Sequence, residues 1–355
     1  MELGQNYAPT GKPAPVVKPG EFVFAATSLD HGHIMGMTNG LLEAGGTLKY
    51  VFDKDPAKVK DFVGRYPDAV PVNDLGIILQ DKSIHMIAAA AVPNERSALG
   101  RLCMEHEKHY FTDKTPFTTL EQIELTRETV KETGKKYMCY YSERLHVESA
   151  VYAGQLIEQG VIGKVINVIG LGPHRLNAPS RPGWFFEREK YGGILCDIGS
   201  HQIEQFLHYT GAKDAEVVSS RIANYNNPEY PELDDFGDAS LTADNGATNY
   251  FRVDWFTPDG LRTWGDGRMF IMGTKGTIEL RKYINIGVSQ NSDNVFLVTN
   301  STEEYINIAG KVGYPFFGQL ILDCLNGTEN AMTQEHCFKA AELCVTAQMK
   351  AVKVQ

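Results

Sequence analysis

The chain has 355 residues, a length that predicts two domains, and its content of 43% apolar and 22% charged residues is that of a globular protein. A formal net charge of −10 argues against non-specific nucleic-acid binding, which needs a basic surface. No signal-peptide pattern is present and the longest apolar run, at 84–92, is too short to cross a bilayer, so we expect a soluble cytoplasmic protein without a membrane partner.

The first part of the chain alternates apolar runs with amphipathic segments. Residues 1–20 contain several prolines and predict an extended N-terminal arm. From 21 to 142 the pattern predicts a Rossmann domain with a doubly wound parallel sheet. The predicted strands are 22–27, 48–53, 85–91, 109–114 and 136–141, and the predicted helices are 33–44, 55–66, a segment ending near 106, and 118–133.

A different rhythm follows in residues 143–355, which predict an α/β substrate-binding and oligomerisation domain. Helices are expected at 147–159 and 198–210, with a strand at 164–171 between them. Short alternating runs from 214 to about 300, among them 249–256, 268–273 and 276–283, predict a large, mostly antiparallel open sheet. Two helices, at 313–326 and 333–351, close the chain. The predicted fold class is therefore α/β, with a Rossmann sheet followed by this second sheet.

The turn after the first predicted strand is a candidate dinucleotide site without the usual glycines. It reads A-T-S-L-D-H-G-H-I-M-G over 26–36, so Ala26, Ser28 and His31 occupy the three positions of a G-x-G-x-x-G motif. Small residues still allow a pyrophosphate to approach, and the hydroxyls of Thr27 and Ser28 can donate hydrogen bonds. His31 or His33 is a candidate phosphate contact.

An acidic residue closes the second predicted strand, where the ribose of a dinucleotide is usually bound. Asp53 lies roughly 20 residues beyond the turn, which favours NAD over NADP because a carboxylate repels a 2′-phosphate. Lys54, next to it, leaves NADP open, and a helix cap is the structural alternative for Asp53. The pair His31 and His33 suggests metal ligands, but Asp30 is the single nearby carboxylate in sequence, so no metal is predicted.

Two segments carry residues suited to proton transfer. TDKTP (112–116) places Lys114 at the end of a predicted strand, and YGGILCDIGSHQIEQFLHY (191–209) places Asp197 and His201 four residues apart on a helix face. Oxidising a carbinol needs a base for the hydroxyl proton while the hydride leaves carbon, and histidine and a partly buried lysine can serve. A solvated lysine and a surface ion pair are the structural alternatives.

These motifs resemble those of the Gfo/Idh/MocA oxidoreductases. The family's Glu-Lys-Pro appears as Asp113-Lys114-Thr115-Pro116, and its Gly-Gly-x-x-x-Asp-x-Gly-x-His-x-x-Asp as residues 192–204, with Glu204 last. Further matches are Val92-Pro93-Asn94, 160–164 and 272–278, whereas the loop at 26–31 departs from the family.

The resemblance implies roles for these residues. Lys114 would be an acid/base bonded to both nicotinamide ribose and substrate, with His201 the second acid/base or a hydroxyl orienter. Asp197 would position substrate, and Pro93 and Asn94 would contact the cofactor. Family members pair through the open sheet, so a homodimer or homotetramer is implied.

Candidate substrate contacts lie in the loop after the 164–171 strand and at the domain junction. Charged donors beside an aromatic platform suit a polyhydroxylated ring, although each residue alone has a structural alternative. The candidates are Tyr141, Arg144, His174, Arg175, Arg181 and Trp184, together with Asp197 and His201.

The sequence thus predicts an NAD(P)-dependent dehydrogenase that moves a hydride to or from a carbinol carbon of a sugar, glycoside or polyol. One alternative keeps NAD bound and uses sugar oxidation to begin elimination of a glycosidic bond. Another is a non-catalytic dinucleotide sensor on the same fold, which loss of the glycine motif would favour.

Overall fold

A computed structural model describes residues 4–11, 14–288 and 291–354. Parts of the predicted arm and of the C-terminal domain, namely 1–3, 12–13, 289–290 and 355, lie outside the described residues. The strands are β1 (Val23–Thr27), β2 (Thr47–Phe52), β3 (Val70–Pro71), β4 (Met86–Ala89), β5 (His109–Asp113), β6 (Tyr137–Tyr140), β7 (Val165–Pro173), β8 (Ala215–Ala223), β9 (Phe236–Ala243), β10 (Thr248–Asp254), β11 (Arg268–Gly273), β12 (Gly276–Arg281), β13 (Asn294–Thr299), β14 (Glu303–Asn307) and β15 (Val352–Lys353).

Helices connect these strands and close the chain. They are α1 (His33–Glu43), α2 (Pro56–Arg65), α3 (Leu75–Gln80), α4 (Arg96–Glu105), α5 (Leu120–Thr133), α6 (Ser142–Leu145), α7 (Glu148–Glu158), α8 (Arg188–Tyr191), α9 (Ile194–Asp197), α10 (Gly199–Thr210), α11 (Pro315–Asn326) and α12 (Gln334–Lys350). Among the described residues, none of these helices has the length and apolar character needed to cross a membrane.

The chain forms two compact units. Of the described residues, the parallel-sheet unit comprises those within Gln5–Tyr140 and Tyr314–Phe338, and the mixed-sheet unit comprises Gly4 and those within Tyr141–Gly313 and Lys339–Gln355. The predicted boundaries differ in two places, because most of the arm and residues 314–338 pack with the parallel sheet.

The parallel-sheet unit confirms the predicted Rossmann architecture. Its six strands lie in the order β3-β2-β1-β4-β5-β6, and all of their pairings are parallel. All side chains of β1 and β4 are buried, as expected for strands covered by helices on both faces. The carboxyl ends of β1, β4 and β5 therefore meet at one edge, where an open parallel sheet binds its ligand.

Residues 314–338 complete the apolar core of the parallel-sheet unit. Phe316 lies 6.0 Å from the ring of Phe111 on β5, and Phe338 lies 6.0 Å from Phe117. Gln334 donates to the carbonyl of Tyr137 at 2.6 Å and accepts from its N–H at 2.9 Å. This side chain thereby satisfies a backbone donor and acceptor of β6.

The N-terminal arm runs along α1. The Asn39 side chain donates to the carbonyl of Ala8 at 3.2 Å, and the N–H of Gly11 donates to Glu43 at 2.9 Å. A side chain at Gly32, which precedes α1, would overlap the carbonyl of Gln5. The close approach of the arm therefore requires glycine there.

The mixed-sheet unit contains nine strands in the order β14-β13-β12-β11-β7-β10-β9-β8-β15. Pairing is antiparallel except between β7 and β10 and between β8 and β15, which confirms the predicted, mostly antiparallel sheet. Helix α10 packs on β7 and β10. Gly170 and Gly172 on β7 leave room for Gln202 of α10, whose amide would overlap a Cβ at either position.

Candidate functional site

Asp113 is the centre of a buried charged cluster at the carboxyl edge of the parallel sheet. Its carboxylate is fully buried, and its two oxygens face two imidazoles. Nδ1 of His31 lies 2.9 Å from Oδ2, and Nδ1 of His33 lies 2.8 Å from Oδ1. The backbone N–H of Lys114 also donates to Oδ1 at 2.8 Å. The loop after β1 and the end of β5 are thus joined through one carboxylate.

A buried arginine balances that carboxylate. Arg96 is 1% exposed, and its guanidinium lies 3.3 Å from Oδ2 of Asp113 while also donating to the carbonyls of Ala91 and Thr115. Burial alone would raise the pKa of Asp113, but His33, His31 and Arg96 hold that pKa well below the usual range. The carboxylate is therefore ionised.

His31 is a neutral imidazole in this cluster. Burial lowers its pKa from 6.5 to about 3, although Asp113 opposes the shift. A carboxylate only accepts hydrogen bonds, so the single proton of a neutral His31 must lie on Nδ1. Its Nε2 is then an acceptor. This geometry argues against the predicted phosphate contact and suits a hydroxyl or amide donor instead.

His31, His33 and Asp113 offer ligand atoms that lie within 4.8 Å of one another and could hold a metal ion. Asp30, the nearby carboxylate in sequence, instead pairs with Lys58 at 2.6 Å, and the third candidate ligand is Asp113, 80 residues beyond His33. Arg96 already supplies a cation to this carboxylate, so a divalent ion would add to an existing positive charge. The absence of a metal stays a prediction.

Unsatisfied polar atoms at the same edge fit a bound dinucleotide. Thr27 at the end of β1 is fully buried, and its Oγ1 has no hydrogen-bond partner among the described residues; the same holds for Oδ1 of Asn94 after β4. Ser28 adopts a φ of 52°. The N–H groups of Ile34 and Met35, at the start of α1, already donate to the carbonyls of His31 and Gly32 at 3.2 and 3.1 Å, so they are not open to an anion.

Asp53 holds the first turn rather than capping a helix. Its Oδ2 accepts from the N–H of Leu29 at 2.6 Å, and its Oδ1 accepts from Asp55 at 2.8 Å. The cap of α2 is Asp55, which accepts from Ala57. Each Asp53 oxygen retains a lone pair for a ribose hydroxyl. Lys54 is exposed.

Lys114 and Pro93 are both buried in the parallel-sheet unit. Lys114 is 6% exposed and follows β5, while Pro93 opens the short turn between β4 and α4. Burying a lysine costs desolvation free energy, so a buried lysine usually has a structural or functional role. The solvated strand-end lysine considered from the sequence is therefore not what the structure contains.

Asp197 closes α9 and His201 lies in the first turn of α10, both in the mixed-sheet unit. Ile198 separates the two helices, so the pair spans a junction instead of one continuous helix. Gly193 has a φ of 94°, and a side chain there would overlap Gln348. This glycine is thus required by the turn that brings Asp197 into place.

Sequence reasoning missed a buried ion pair beside His201. Glu143 on α6 bonds Lys282 at 2.8 Å, and both side chains are at most 3% exposed. Burial would raise the pKa of Glu143, but Lys282, His201 and His174 lower it to about 2. The pair joins segments 139 residues apart, which no local pattern reports.

Two residues predicted to bind substrate are buried in the mixed-sheet unit, and one of them, Arg144, is engaged elsewhere. Nε of Arg144 donates to both carboxylate oxygens of the buried Glu204, at 2.7 and 2.9 Å. Tyr141 is fully buried at the start of α6. The Arg144–Glu204 pair explains the glutamate that replaces the family's last aspartate, and it favours a structural role for Arg144.

The loop after β7 is fixed by its own arginines. Arg181 donates to the carbonyls of Leu176 and Arg175 and stacks on the rings of Phe185 and Trp255. Burial lowers its pKa to about 10, against the attraction of Asp197.

Arg175 donates to the carbonyls of Pro258 and Leu261. His174 packs 4.5 Å from the ring of Trp264, and Trp184 is half-buried. The aromatic rings in and around this loop are consistent with the predicted substrate loop. The two arginines, however, donate their hydrogen bonds to backbone carbonyls.

Comparison with known proteins places this fold in a family. A model of the GFO/IDH/MocA C-terminal domain matches residues 151–279. A solved structure from Erwinia carotovora atroseptica SCRI1043, assigned provisionally to the oxidoreductases, is 46% identical with a TM-score of 0.91 and covers 94% of this chain and 100% of its own.

Two curated relatives are more distant. The D-xylose dehydrogenase of Paenarthrobacter nicotinovorans is 26% identical over 42% of this chain and 39% of its own length. The scyllo-inositol 2-dehydrogenase (NADP(+)) IolW of Bacillus subtilis strain 168 is 28% identical over 46% and 45%. The chain thus matches less than half the length of these relatives. Together with the fold and the motifs, the domain model and the Erwinia structure show that this chain belongs to the Gfo/Idh/MocA family of oxidoreductases.

Proposed function

We propose that this protein is a nicotinamide-dependent oxidoreductase that transfers a hydride to or from a carbinol carbon of a sugar, glycoside or polyol. The observation that carries the proposal is the burial of Lys114 at the carboxyl end of β5, the edge at which an open parallel sheet binds its ligand. The names of the curated relatives, a xylose and an inositol dehydrogenase, support the same substrate class.

Several residues of the parallel-sheet unit would hold the cofactor. Thr27 and Ser28 suit a pyrophosphate, and Asp53 suits the adenosine ribose. Asn94 offers an unsatisfied amide oxygen, and Nε2 of His31 offers an acceptor to a hydroxyl or carboxamide. Asp53 favours NAD over NADP, whereas the NADP linkage of the Bacillus relative keeps Lys54 of interest.

Two side chains would share the proton transfer. A bound nicotinamide would supply or accept the hydride. Nζ of Lys114 would exchange the proton of the substrate hydroxyl, and the imidazole of His201 would act as the second acid/base or orient the hydroxyl. Asp197 would accept a hydrogen bond from a substrate hydroxyl, and it attracts the guanidinium of Arg181.

Side chains of the mixed-sheet unit support the proposed substrate class. Trp184 is half-buried in the loop after β7, and His174 belongs to a buried aromatic group with Trp255 and Trp264. Aromatic faces stack on the CH groups of a sugar ring, while Asp197 and His201 bond its hydroxyls.

The test is a screen of sugars, inositols and glycosides with NAD and NADP, followed at the absorbance band of the reduced nicotinamide. On an active substrate, Lys114→Ala should lower kcat by about 10²-fold or more while cofactor binding, followed by fluorescence, persists. Lys49→Ala, which removes a surface ion pair with Asp81, is the matched control. Unchanged turnover in Lys114→Ala would remove the acid/base assignment.

A dinucleotide sensor without turnover is the second candidate. The contacts of His31 and His33 with Asp113 favour this candidate, because they fix the loop after β1, which is rich in glycine in other dinucleotide folds. Cofactor that remains bound after desalting, together with no turnover across the screen, would support it. Bound cofactor with turnover would instead support the bound-NAD variant of sugar oxidation.

A homodimer or homotetramer through the mixed sheet is also proposed. Ile169, Tyr250 and Phe270 are opposed on adjacent strands and are 36–40% exposed. Aromatic and aliphatic residues in a row on an open sheet suit an interface between copies. Phe270→Glu should shift the molecular mass measured by light scattering toward the monomer; an unchanged mass would argue against this face.

A further inference from the structure

We propose that Glu143 is a positioning residue of the candidate site, which sets the orientation and the charge of the imidazoles of His174 and His201. This inference rests on the proposed function insofar as those imidazoles serve substrate. It assigns a role to a buried ion pair that the proposed proton transfer does not itself use. All the residues involved lie within the mixed-sheet unit.

One oxygen of the Glu143 carboxylate is held by two side-chain donors. Oε2 accepts from Nζ of Lys282 at 2.8 Å and from the amide of Gln202 at 3.3 Å. Lys282 also donates to Oε1 of Gln205 at 2.8 Å, and the amide of Gln205 donates to the carbonyl of His201 at 2.6 Å. Lys282 therefore links the carboxylate to the backbone that carries His201.

The other carboxylate oxygen of Glu143 lies near the ring of His174. Oε1 of Glu143 is buried and has no hydrogen-bond partner within the described residues, yet it lies 3.8 Å from Nε2 of His174. An unpaired carboxylate oxygen in a buried place is costly unless a nearby group brings a proton to it. His174 is the ring placed to do so.

The backbone partner of His174 fixes which ring nitrogen carries a proton. Nδ1 of this ring lies 3.2 Å from the carbonyl of Gly172, which can only accept, so Nδ1 carries a proton. Nε2 is then the nitrogen that titrates, and it faces Glu143. The carboxylate thus favours the protonated form of His174 and, through its charge, that of His201.

The other charged groups around His201 have partners of their own. Arg144 pairs with Glu204, and Asp197 interacts with Arg181. On the packed elements β9, β10 and α7, the buried carboxylates Asp238, Asp254 and Glu148 are bonded by Arg221, Arg252 and the backbone of 310–313. Of these carboxylates, Glu143 is the one with an unsatisfied oxygen 3.8 Å from Nε2 of His174.

The experiment is an NMR titration of the histidine rings in the full-length protein saturated with NAD, with resonances assigned through His174→Gln and His201→Gln. In Glu143→Gln both midpoints should fall by about one pH unit, because a negative charge that favours the protonated rings is gone. Glu143→Asp should keep the wild-type midpoints. Glu148→Gln, which alters a buried carboxylate elsewhere in the unit, should lower stability without moving them.

The outcomes separate this inference from the proposed function. Midpoints within about 0.2 pH unit of wild type in Glu143→Gln would overturn it, even if the variant is less stable. If that variant does not fold, wild-type His174 must still show a neutral form protonated on Nδ1, and the Nε2-protonated tautomer would overturn the inference. Where a substrate is turned over, the acid limb of kcat/KM should move with the midpoints. A screen without turnover would contradict the proposed function, but it would not change the result of the titration.

Discussion

Nδ1 of His31 lies 2.9 Å from the buried Oδ2 of Asp113, so the loop after β1 is attached to the end of β5. In a glycine-rich dinucleotide loop this space is open to the ligand. Here the neutral imidazole of His31 packs against Asp113, and its Nε2 is the acceptor nitrogen. The attachment gives the loop a fixed shape without glycines, and its contribution to stability can be measured.

Asp113→Asn should destabilise the parallel-sheet unit by about 3 kcal/mol. The change removes the charge that compensates the fully buried Arg96 and leaves two imidazoles facing a neutral amide. Urea unfolding at neutral pH measures the effect. Glu335→Gln, which breaks an exposed ion pair with Arg127 in the same unit, is the control and should change stability by an amount within error. Equal effects of the two variants would contradict the role given to Asp113.

Stability of the parallel-sheet unit should fall as the pH drops below 6.5. The pKa of His31 is about 3 when folded and near 6.5 when unfolded, so the unfolded chain binds an extra proton across this window. The stability contribution is complete above pH 6.5 and is lost progressively as the pH falls toward 3. Between pH 6.5 and about 5 the loss from His31 should be up to roughly 2 kcal/mol.

His31→Gln should flatten this dependence, as read from unfolding free energies at a series of pH values. His109, whose pKa burial lowers to about 4, acts in the same direction, so His109→Gln gives an independent second measurement. A wild-type slope retained in His31→Gln would show that this ring is not buried as a neutral group.

The sequence predicted the sheet but only part of the site. Continuous apolar runs such as 85–91 identified strands covered on both faces, and the alternation with helices predicted parallel pairing. Once β1 and β5 are parallel neighbours of β4, their ends must lie at one edge. The contact of Asp113 with His31 could therefore be predicted from the strand order, but not from the residues near His31 in sequence.

Other contacts could not be predicted because they join distant segments. Lys282 follows β12 and meets Glu143 on α6, and nothing near either residue indicates the other. In the same way, the amphipathic pattern of 313–326 predicted a helix, but not which of two cores its phenylalanines would join. Local periodicity reports which face is buried, and the partner of that face depends on the tertiary fold.

Asp53 should control the choice between NAD and NADP. Asp53→Ser should raise the ratio of kcat/KM for NADP to that for NAD by about tenfold or more, since it removes a charge that repels a 2′-phosphate. The measurement is initial rates on a substrate found in the screen, or the two dissociation constants where none is found. Asp55→Ala removes the cap of α2 and should cost about 1 kcal/mol of stability without changing the ratio. An unchanged ratio in Asp53→Ser would place the ribose elsewhere.

Gly170→Ala should weaken the buried network beside His201. A Cβ on this residue of β7 would overlap Oε1 of Gln202, and the amide would be pushed away from Glu143. Overpacking of this kind typically costs about 1–3 kcal/mol. Gly260→Ala, where nothing lies within 4 Å of the added Cβ, is the matched control in the same unit. Thermal unfolding of both variants decides the matter: a Gly170→Ala protein as stable as Gly260→Ala would mean that Gln202 does not occupy the space left by the glycine.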